Sequence, residues 1–151
     1  MYPSVFDPQT TANLVARLRQ LTPESQPRWG KMNVAQMLAH CNVTYDITFG
    51  KVDVQYNWLM RKLLTWLVKP MVVGPKPYKK NSQTAPVFLI TDERDFHKEQ
   101  ARLEAHLHQV EREGAAAYEG RESPSFGPMT AQEWSNQFWK HLDHHFTQFG
   151  V

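Results

Sequence analysis

The fold is decided by the last stretch of the chain, residues 134–150, which reads WSNQFWKHLDHHFTQFG. Its large apolar side chains recur at steps of three, four and seven, the spacing of one face of an α-helix. Those on or beside that face are Trp134, Phe138, Leu142 and Phe149. His141 and His145 lie four residues apart, so a helix stacks them one turn apart beside the apolar face. We therefore expect both imidazoles to point inward, where a polar group needs a partner.

Two histidines one helical turn apart can bind the same divalent metal ion, since nickel and zinc accept neutral imidazole nitrogens as ligands. Catalytic sites of this kind commonly use three protein ligands and leave one position for water or substrate. The third ligand must come from another helix, and His40, on the flank of an apolar stripe, is the best candidate. A hydrogen-bonded structural role for each histidine is the alternative. His144 cannot share the face of His145, because adjacent helical residues diverge by about 100°.

The other reactive side chains give weaker signals. Leu142 follows His141, where the metalloprotease motif has its general-base Glu, so that motif is excluded and no catalytic residue is assigned. Cys41 is expected to pack in the core, because no separate base is indicated for a nucleophile.

Three further histidines lie on a strongly charged predicted helix that begins at residue 91, 92 or 95. We expect His97 and His108 to face solvent and His106 to be partly buried at most. The charged residues of this helix, including Glu99, indicate a solvated face.

The remaining sequence predicts helices joined by long loops. The start signals are Asp7-Pro8, Asn33 with Gln36, Asn57, and Thr130 with Glu133. Residues 57–68 are apolar on nearly every face, which favours burial between neighbouring helices or at a subunit interface. Residues 74–86 and 115–128 are predicted to be irregular, because proline and glycine are frequent there. Four to five helices without a convincing set of strands predict an all-α bundle.

Composition narrows the functional classes. The 151 residues are expected to form a single domain, 1–151, with 41% hydrophobic and 21% charged residues. A net charge of +2 with scattered basic residues argues against nucleic acid. The single cysteine excludes an intrachain disulfide and favours a cytoplasmic location. No secretory signal is visible, and the apolar segment 58–73 is shorter than the roughly 20 residues of a membrane span, so no membrane partner is expected.

Four stretches carry a family resemblance, and they lie at residues 29–41 (WGKMNVAQMLAHC), 74–86 (GPKPYKKNSQTAP), 126–134 (FGPMTAQEW) and 141–150 (HLDHHFTQFG). With one histidine on the second helix and His-x-x-x-His on the last, the chain resembles the DinB/YfiT-like superfamily, and is most similar to an uncharacterised DinB-like branch. The loop 74–86 is the more specific mark of that branch.

The resemblance implies a four-helix bundle, connected up-down-down-up and often dimeric, with nickel or zinc held by three histidines. Carried over by position, these are His40, His141 and His145. Characterised relatives include thiol-dependent transferases and isomerases, so a small-molecule substrate, such as a low-molecular-weight thiol, and a homodimer are implied. Phe146 stands where many relatives have Arg, so no substrate contact is implied there.

Two functional hypotheses follow. The first is a metal-dependent enzyme, a thiol-dependent transferase or a hydrolase. The second is a non-catalytic helical bundle with a structural or vestigial site, which acts as an interaction module. An open ligand position facing a cleft favours the first, and histidines closed into a core favour the second.

Overall fold

The computed structural model of the chain describes residues 2–82 and 84–151, so Met1 and Gln83, the latter within the predicted loop 74–86, lie outside the described residues. The fold is mostly helical, as predicted, and carries one small sheet. Its helices and strands are α1 (Pro8–Leu18), α2 (Val34–Thr48), α3 (Trp58–Leu67), α4 (Lys69–Val73), α5 (Phe96–Glu113), β1 (Arg121–Ser123), β2 (Gly127–Met129) and α6 (Ala131–Phe149). Single 3₁₀ turns lie at Pro86–Phe88 and Ala115–Ala117.

The helices begin at the capping residues that the sequence indicates. Asn33 and Gln36 bond to each other's backbone N–H at 2.9 and 3.1 Å, which forms a capping box at the start of α2. Thr130 forms the same arrangement with Glu133 at the start of α6. Asp95, one of the predicted starts, caps α5. Each such cap stabilises its helix by about 1 kcal/mol.

The core lies where α1 and α2 both pack against α5 and α6. Every apolar residue predicted to face inward on α6 is buried there, and the ring of Phe138 stacks on Tyr45 with 4.8 Å between centroids. Phe146 is also fully buried. Because α6 contributes to the core along its whole length, His141 and His145 are held at its inner surface.

The prediction that residues 115–128 are irregular is wrong in part, because a small sheet begins there. β1 and β2 form an antiparallel hairpin with Arg121 opposite Met129 and Ser123 opposite Gly127. Strands of three residues are too short to show the alternation that reveals a strand in sequence. The indole N–H of Trp134 donates to the carbonyl of Arg121 at 3.3 Å, which ties the hairpin to α6.

The predicted burial of the third helix between neighbouring helices is also wrong for the described residues. No residue of α3 is buried, and Trp58 and Trp66 are 70% and 77% exposed. Only one flank, including Leu64 and Val68, packs against the core. An apolar pattern around a whole helix cannot distinguish an interior helix from a surface helix that binds another protein chain.

α4 follows α3 directly and fastens this part of the chain to α6. Pro70 lies in its first turn, where the missing N–H costs little. The Lys140 ammonium donates to the carbonyls of Met71 and Gly74 at 2.7 and 2.8 Å, and Asn136 donates to that of Val73 at 2.8 Å. Among the described residues, each helix is too short or too polar to span a bilayer.

Candidate metal centre

Three histidines from two helices that are far apart in the chain meet beside the core. His40 comes from α2, and His141 and His145 from α6; one ring nitrogen of each lies within 4.8 Å of the other two. The Nε2 atoms of His40 and His141 are 2.9 Å apart. Nitrogens at this separation can both reach one ion through bonds of about 2.1 Å. The predicted convergence of these three rings is therefore present, and the cluster can bind a metal ion.

A backbone carbonyl determines which ring nitrogen of His40 carries the proton. Its Nδ1 lies 2.9 Å from the carbonyl oxygen of Phe88, in the 3₁₀ turn that follows the loop 74–86. A carbonyl only accepts hydrogen bonds, so Nδ1 carries the proton. The lone pair therefore lies on Nε2, which faces the other two histidines.

The side-chain amide of Gln148 fixes the position of the ring proton of His145. Gln148 Nε2 donates to the carbonyl of Trp29 at 2.6 Å, which fixes the orientation of the amide. Its Oε1 therefore accepts from His145 Nδ1 at 2.8 Å, and the lone pair of His145 is left on Nε2. Gly30 allows this close approach: it has a φ of +86°, and a Cβ there would lie 2.5 Å from Gln148 Nε2.

His141 has a less restrictive partner. Its Nδ1 lies 3.1 Å from the Thr44 hydroxyl, which can donate or accept. If Nδ1 donates to Thr44, all three Nε2 lone pairs face one another, which is the arrangement a cation needs. If Thr44 donates instead, the Nε2–H of His141 bonds to Nε2 of His40 and the cluster closes on itself. The same residues therefore support a metal-bound form and a hydrogen-bonded form.

Burial keeps the cluster neutral. It lowers the pKa of His145 to about 3, with a further contribution from the neighbouring His40, and it holds the pKa of His141 well below its ordinary value. The pKa of His40 is also lowered by burial, against the opposing effect of its bond to Phe88. Neutral imidazole is the form that ligates metals, and three imidazoles suit nickel or zinc.

His144 lies at the rim of the cluster and outside it, as its position on α6 predicts. Its ring contacts that of His145 edge-on, with 5.0 Å between centroids, and lies 5.9 Å from Tyr78 of the loop 74–86 and 5.8 Å from Trp29. Lys80 of the same loop lies over the Trp29 ring at 4.3 Å. Tyr78 and Lys80 of this loop therefore lie along this edge of the cluster.

The approach to the cluster is narrow. The Phe88 ring lies 5.7 Å from that of His40 and 6.4 Å from that of His141. His40 and His145 are only 5% and 7% exposed, and His141 remains partly exposed. Surface cavities of about 670 Å³ beside α3 and about 170 Å³ beside Tyr2 contain none of the three histidines.

A second polar cluster, between α2 and α5, was not predicted. The Asn42 amide donates to the Glu99 carboxylate at 2.9 Å and accepts from His106 Nδ1 at 3.0 Å, while Arg102 pairs with Glu99 and Asp46. The expectations that Glu99 is solvated and His106 only partly buried are wrong, since each is 3% exposed. Their spacing from the apolar residues of α5 could have revealed this burial, because they fall on the same face.

The other two histidines of α5 and the cysteine follow expectation. His97 is exposed and His108 is half-exposed. Cys41 is fully buried with its Sγ 3.7 Å from the Met37 sulfur, and burial raises the pKa of its thiol, so it packs in the core.

Comparison with known proteins gives a family without an assigned activity. No curated protein and no solved structure matches the chain. The sequence profile of a family described as protein of unknown function, DUF1569, matches residues 6–150. This match takes in all three clustered histidines and every helix of the described residues. The chain belongs to the DUF1569 family.

Proposed function

We propose that the protein is a metal-dependent enzyme that holds one nickel or zinc ion through His40, His141 and His145. The observation that carries this proposal is the pair of acceptors behind the cluster. The Phe88 carbonyl and the Gln148 amide oxygen each take the Nδ1 proton of one histidine, which directs both Nε2 lone pairs to one point. Metal-ligating histidines almost always have such a partner on the other ring nitrogen.

We further propose that α1, α2, α5 and α6 form a DinB-like four-helix bundle within a single domain, 1–151. All four helices contribute to one core, and the proposed metal ligands come from two of them, α2 and α6, which pack against each other. The sequence resemblance supports the same connectivity. A cytoplasmic location belongs to this proposal, supported by the single, buried cysteine.

The chemistry proposed is the activation of a small thiol or of water. A divalent ion bound by three neutral imidazoles keeps its charge, and so lowers the pKa of a bound thiol or water. The protein contributes orientation and shielding. Phe88 lies against two of the imidazoles, and Tyr78 and His144 narrow the rim, so only a small substrate would fit beside the ion.

Metal content tests the site. Purified protein is to be incubated with nickel or zinc, desalted and analysed for bound metal, alongside the variants His40→Ala, His141→Ala and His145→Ala. We expect about one bound ion per chain in the wild type and less bound metal in each of these three variants. His97→Ala is the matched control, because His97 is an exposed histidine of α5 and its loss should leave metal content unchanged. Equal metal content in all four variants would remove the three histidines from the site.

A ligand-binding experiment tests whether a thiol binds to the metal. In protein loaded with cobalt(II) as a spectroscopic substitute, a low-molecular-weight thiol that joins the metal should add a thiolate-to-metal charge-transfer absorption. The corresponding alcohol, with oxygen in place of sulfur, is the control. If the thiol leaves the spectrum unchanged at millimolar concentrations while the metal stays bound, the thiol-dependent reaction is wrong and the metal site stands.

The second candidate is a non-catalytic bundle in which the three histidines bond to one another. It is favoured by the distance of 2.9 Å between His40 Nε2 and His141 Nε2, which is that of a hydrogen bond. It predicts that the protein remains metal-free after exposure to nickel or zinc, and that it unfolds at the same temperature with and without a chelator.

A further inference from the structure

The surface of α3 exposes large apolar side chains that normally lie inside a protein. We define the α3 face as its exposed members, which are Trp58, Leu59, Met60, Leu63, Trp66 and Leu67. Beyond this face, the described residues expose only Met71 and Leu89 among their large hydrophobic side chains. The apolar surface is therefore concentrated on one helix.

The size of the α3 face matches a protein interface. With exposures from 43% to 77%, its six side chains present on the order of 700 Å² of surface, using about 150–250 Å² for each large side chain. The largest apolar patch on a typical monomer is about 300–600 Å². A stable complex of standard size buries about 800 Å² on each partner. The face is thus larger than a monomer usually exposes and close to what one partner of a dimer buries.

Two of the three cations near this face, Arg61 and Lys69, are paired with carboxylates of the chain. Arg61 pairs with Glu122 of β1, and Lys69 pairs with Glu133 of α6 at 2.8 Å. The Lys62 ammonium lies over the Trp58 ring at 5.2 Å. A second copy therefore meets an almost neutral apolar surface with little repulsion between like charges. An anionic partner, such as an acidic protein or a charged lipid surface, would find a single cation on α3 without a carboxylate partner, Lys62.

The face also has a groove beside its projecting rings. A cavity of about 670 Å³ lies between Trp58 and Trp66 of α3 and Pro128 of β2. In a two-fold dimer the same patch meets itself, so it must offer both projections and recesses. The α3 face offers both, since the exposed rings of Trp58 and Trp66 project from it and also line this cavity.

We propose that the α3 face is the interface of a two-fold symmetric homodimer. The sequence resemblance implies a dimer but names no interface; the distribution of exposed apolar side chains assigns it to α3. This inference does not depend on the metal centre, because none of its residues belongs to the histidine cluster.

Sedimentation equilibrium on the full chain tests the interface. The wild type should be dimeric at micromolar concentration. Replacing the two central residues together, Leu63→Glu and Trp66→Glu, should raise the dimer Kd by at least about 30-fold, the effect of losing one hot spot worth about 2 kcal/mol. Both positions are exposed in the single chain, so the variant should fold, with unchanged far-ultraviolet circular dichroism. Ala105→Glu, an exposed position on α5, is the control and should remain dimeric.

Cross-linking gives a second readout that does not rely on destabilising the dimer. The natural cysteine, Cys41, is buried, so a cysteine placed on the surface is the reactive thiol. Of Leu59→Cys, Leu63→Cys and Trp66→Cys, at least one should give a covalent dimer with a short bifunctional maleimide. Ala105→Cys should not.

Three results would overturn the proposal. One is a wild type that stays monomeric up to about 100 µM, far above the Kd of a standard interface. Another is a dimer that resists the double substitution and gives no cross-link through α3. The third is a monomer that binds vesicles of anionic phospholipid and loses this binding in the double variant, which would make the α3 face a membrane-docking surface.

Discussion

Gln148 lies behind the proposed metal ligand His145 and links it to the loop before α2. Replacing it by leucine keeps a buried side chain of similar size but removes both hydrogen-bonding groups. His145 Nδ1 then loses its acceptor, and the carbonyl of Trp29 loses its donor. With its acceptor gone, the His145 ring is free to rotate and to exchange its proton between the two nitrogens.

The structure sets two magnitudes for this change. Loss of a hydrogen-bonded partner behind a ligating histidine lowers metal affinity about 10- to 100-fold. Leaving these two groups without partners, one buried and one partly buried, should also lower the free energy of unfolding of the metal-free protein by about 2–6 kcal/mol, at roughly 1–3 kcal/mol for each. Gln148→Glu separates the two effects, because a carboxylate still accepts from His145 but cannot donate to Trp29. It should retain metal affinity within a few-fold of the wild type.

Competition against a coloured chelator measures the metal affinity, and urea denaturation in the presence of a strong chelator measures the stability of the metal-free chain. Gln132→Leu is the control, since Gln132 is an exposed glutamine of the same helix. It should change neither quantity appreciably. If Gln148→Leu loses stability but binds metal as tightly as the wild type, Gln148 does not orient His145 and the reasoning about the acceptors is wrong.

Three further predictions follow from named contacts. Gly30→Ala should lower the metal affinity, as Gln148→Leu does, because the new Cβ would collide with the Gln148 amide. The φ of +86° at this position also disfavours alanine. Competition against the coloured chelator measures the metal affinity of this variant. Burial, with contributions from Lys51 and Arg102 opposed by Asp46, lowers the pKa of His106 to about 4. Below pH 6.5 the unfolded chain therefore binds a proton that the folded chain does not. Stability should fall as the pH drops from 6.5 to 4, by up to about 3 kcal/mol more in the wild type than in His106→Asn, as measured by urea denaturation at each pH. Phe138→Ala should lower the free energy of unfolding by about 3–5 kcal/mol without changing the pH profile, since it removes a fully buried ring from the core.

The parts of the structure that sequence predicts well are those set by local interactions. A capping box depends on residues three positions apart, and Asn33 with Gln36 begins α2 as expected. The stacking of His141 and His145 depends only on the helical repeat, so their shared inner position was predictable. His40 was found in the same way, from its place beside the apolar stripe of α2.

The parts that sequence did not reveal depend on distant partners. The carbonyl of Phe88, which sets the proton of His40, belongs to a turn 48 residues further along the chain. Nothing local in the sequence marks it. The exposure of α3 likewise depends on what lies opposite the helix, which its own periodicity does not record. Gln148, by contrast, is three residues after His145, and helical spacing could have found it.

The most direct test of the metal centre is X-ray absorption at the metal edge of protein loaded with nickel or zinc. We expect three imidazole nitrogens at about 2.0–2.1 Å from the ion, with the outer-shell scattering of histidine rings. His145→Ala should show one imidazole fewer. An ion surrounded by water oxygens with one imidazole or none, or a spectrum that His145→Ala leaves unchanged, would contradict the assignment of the cluster as a metal centre.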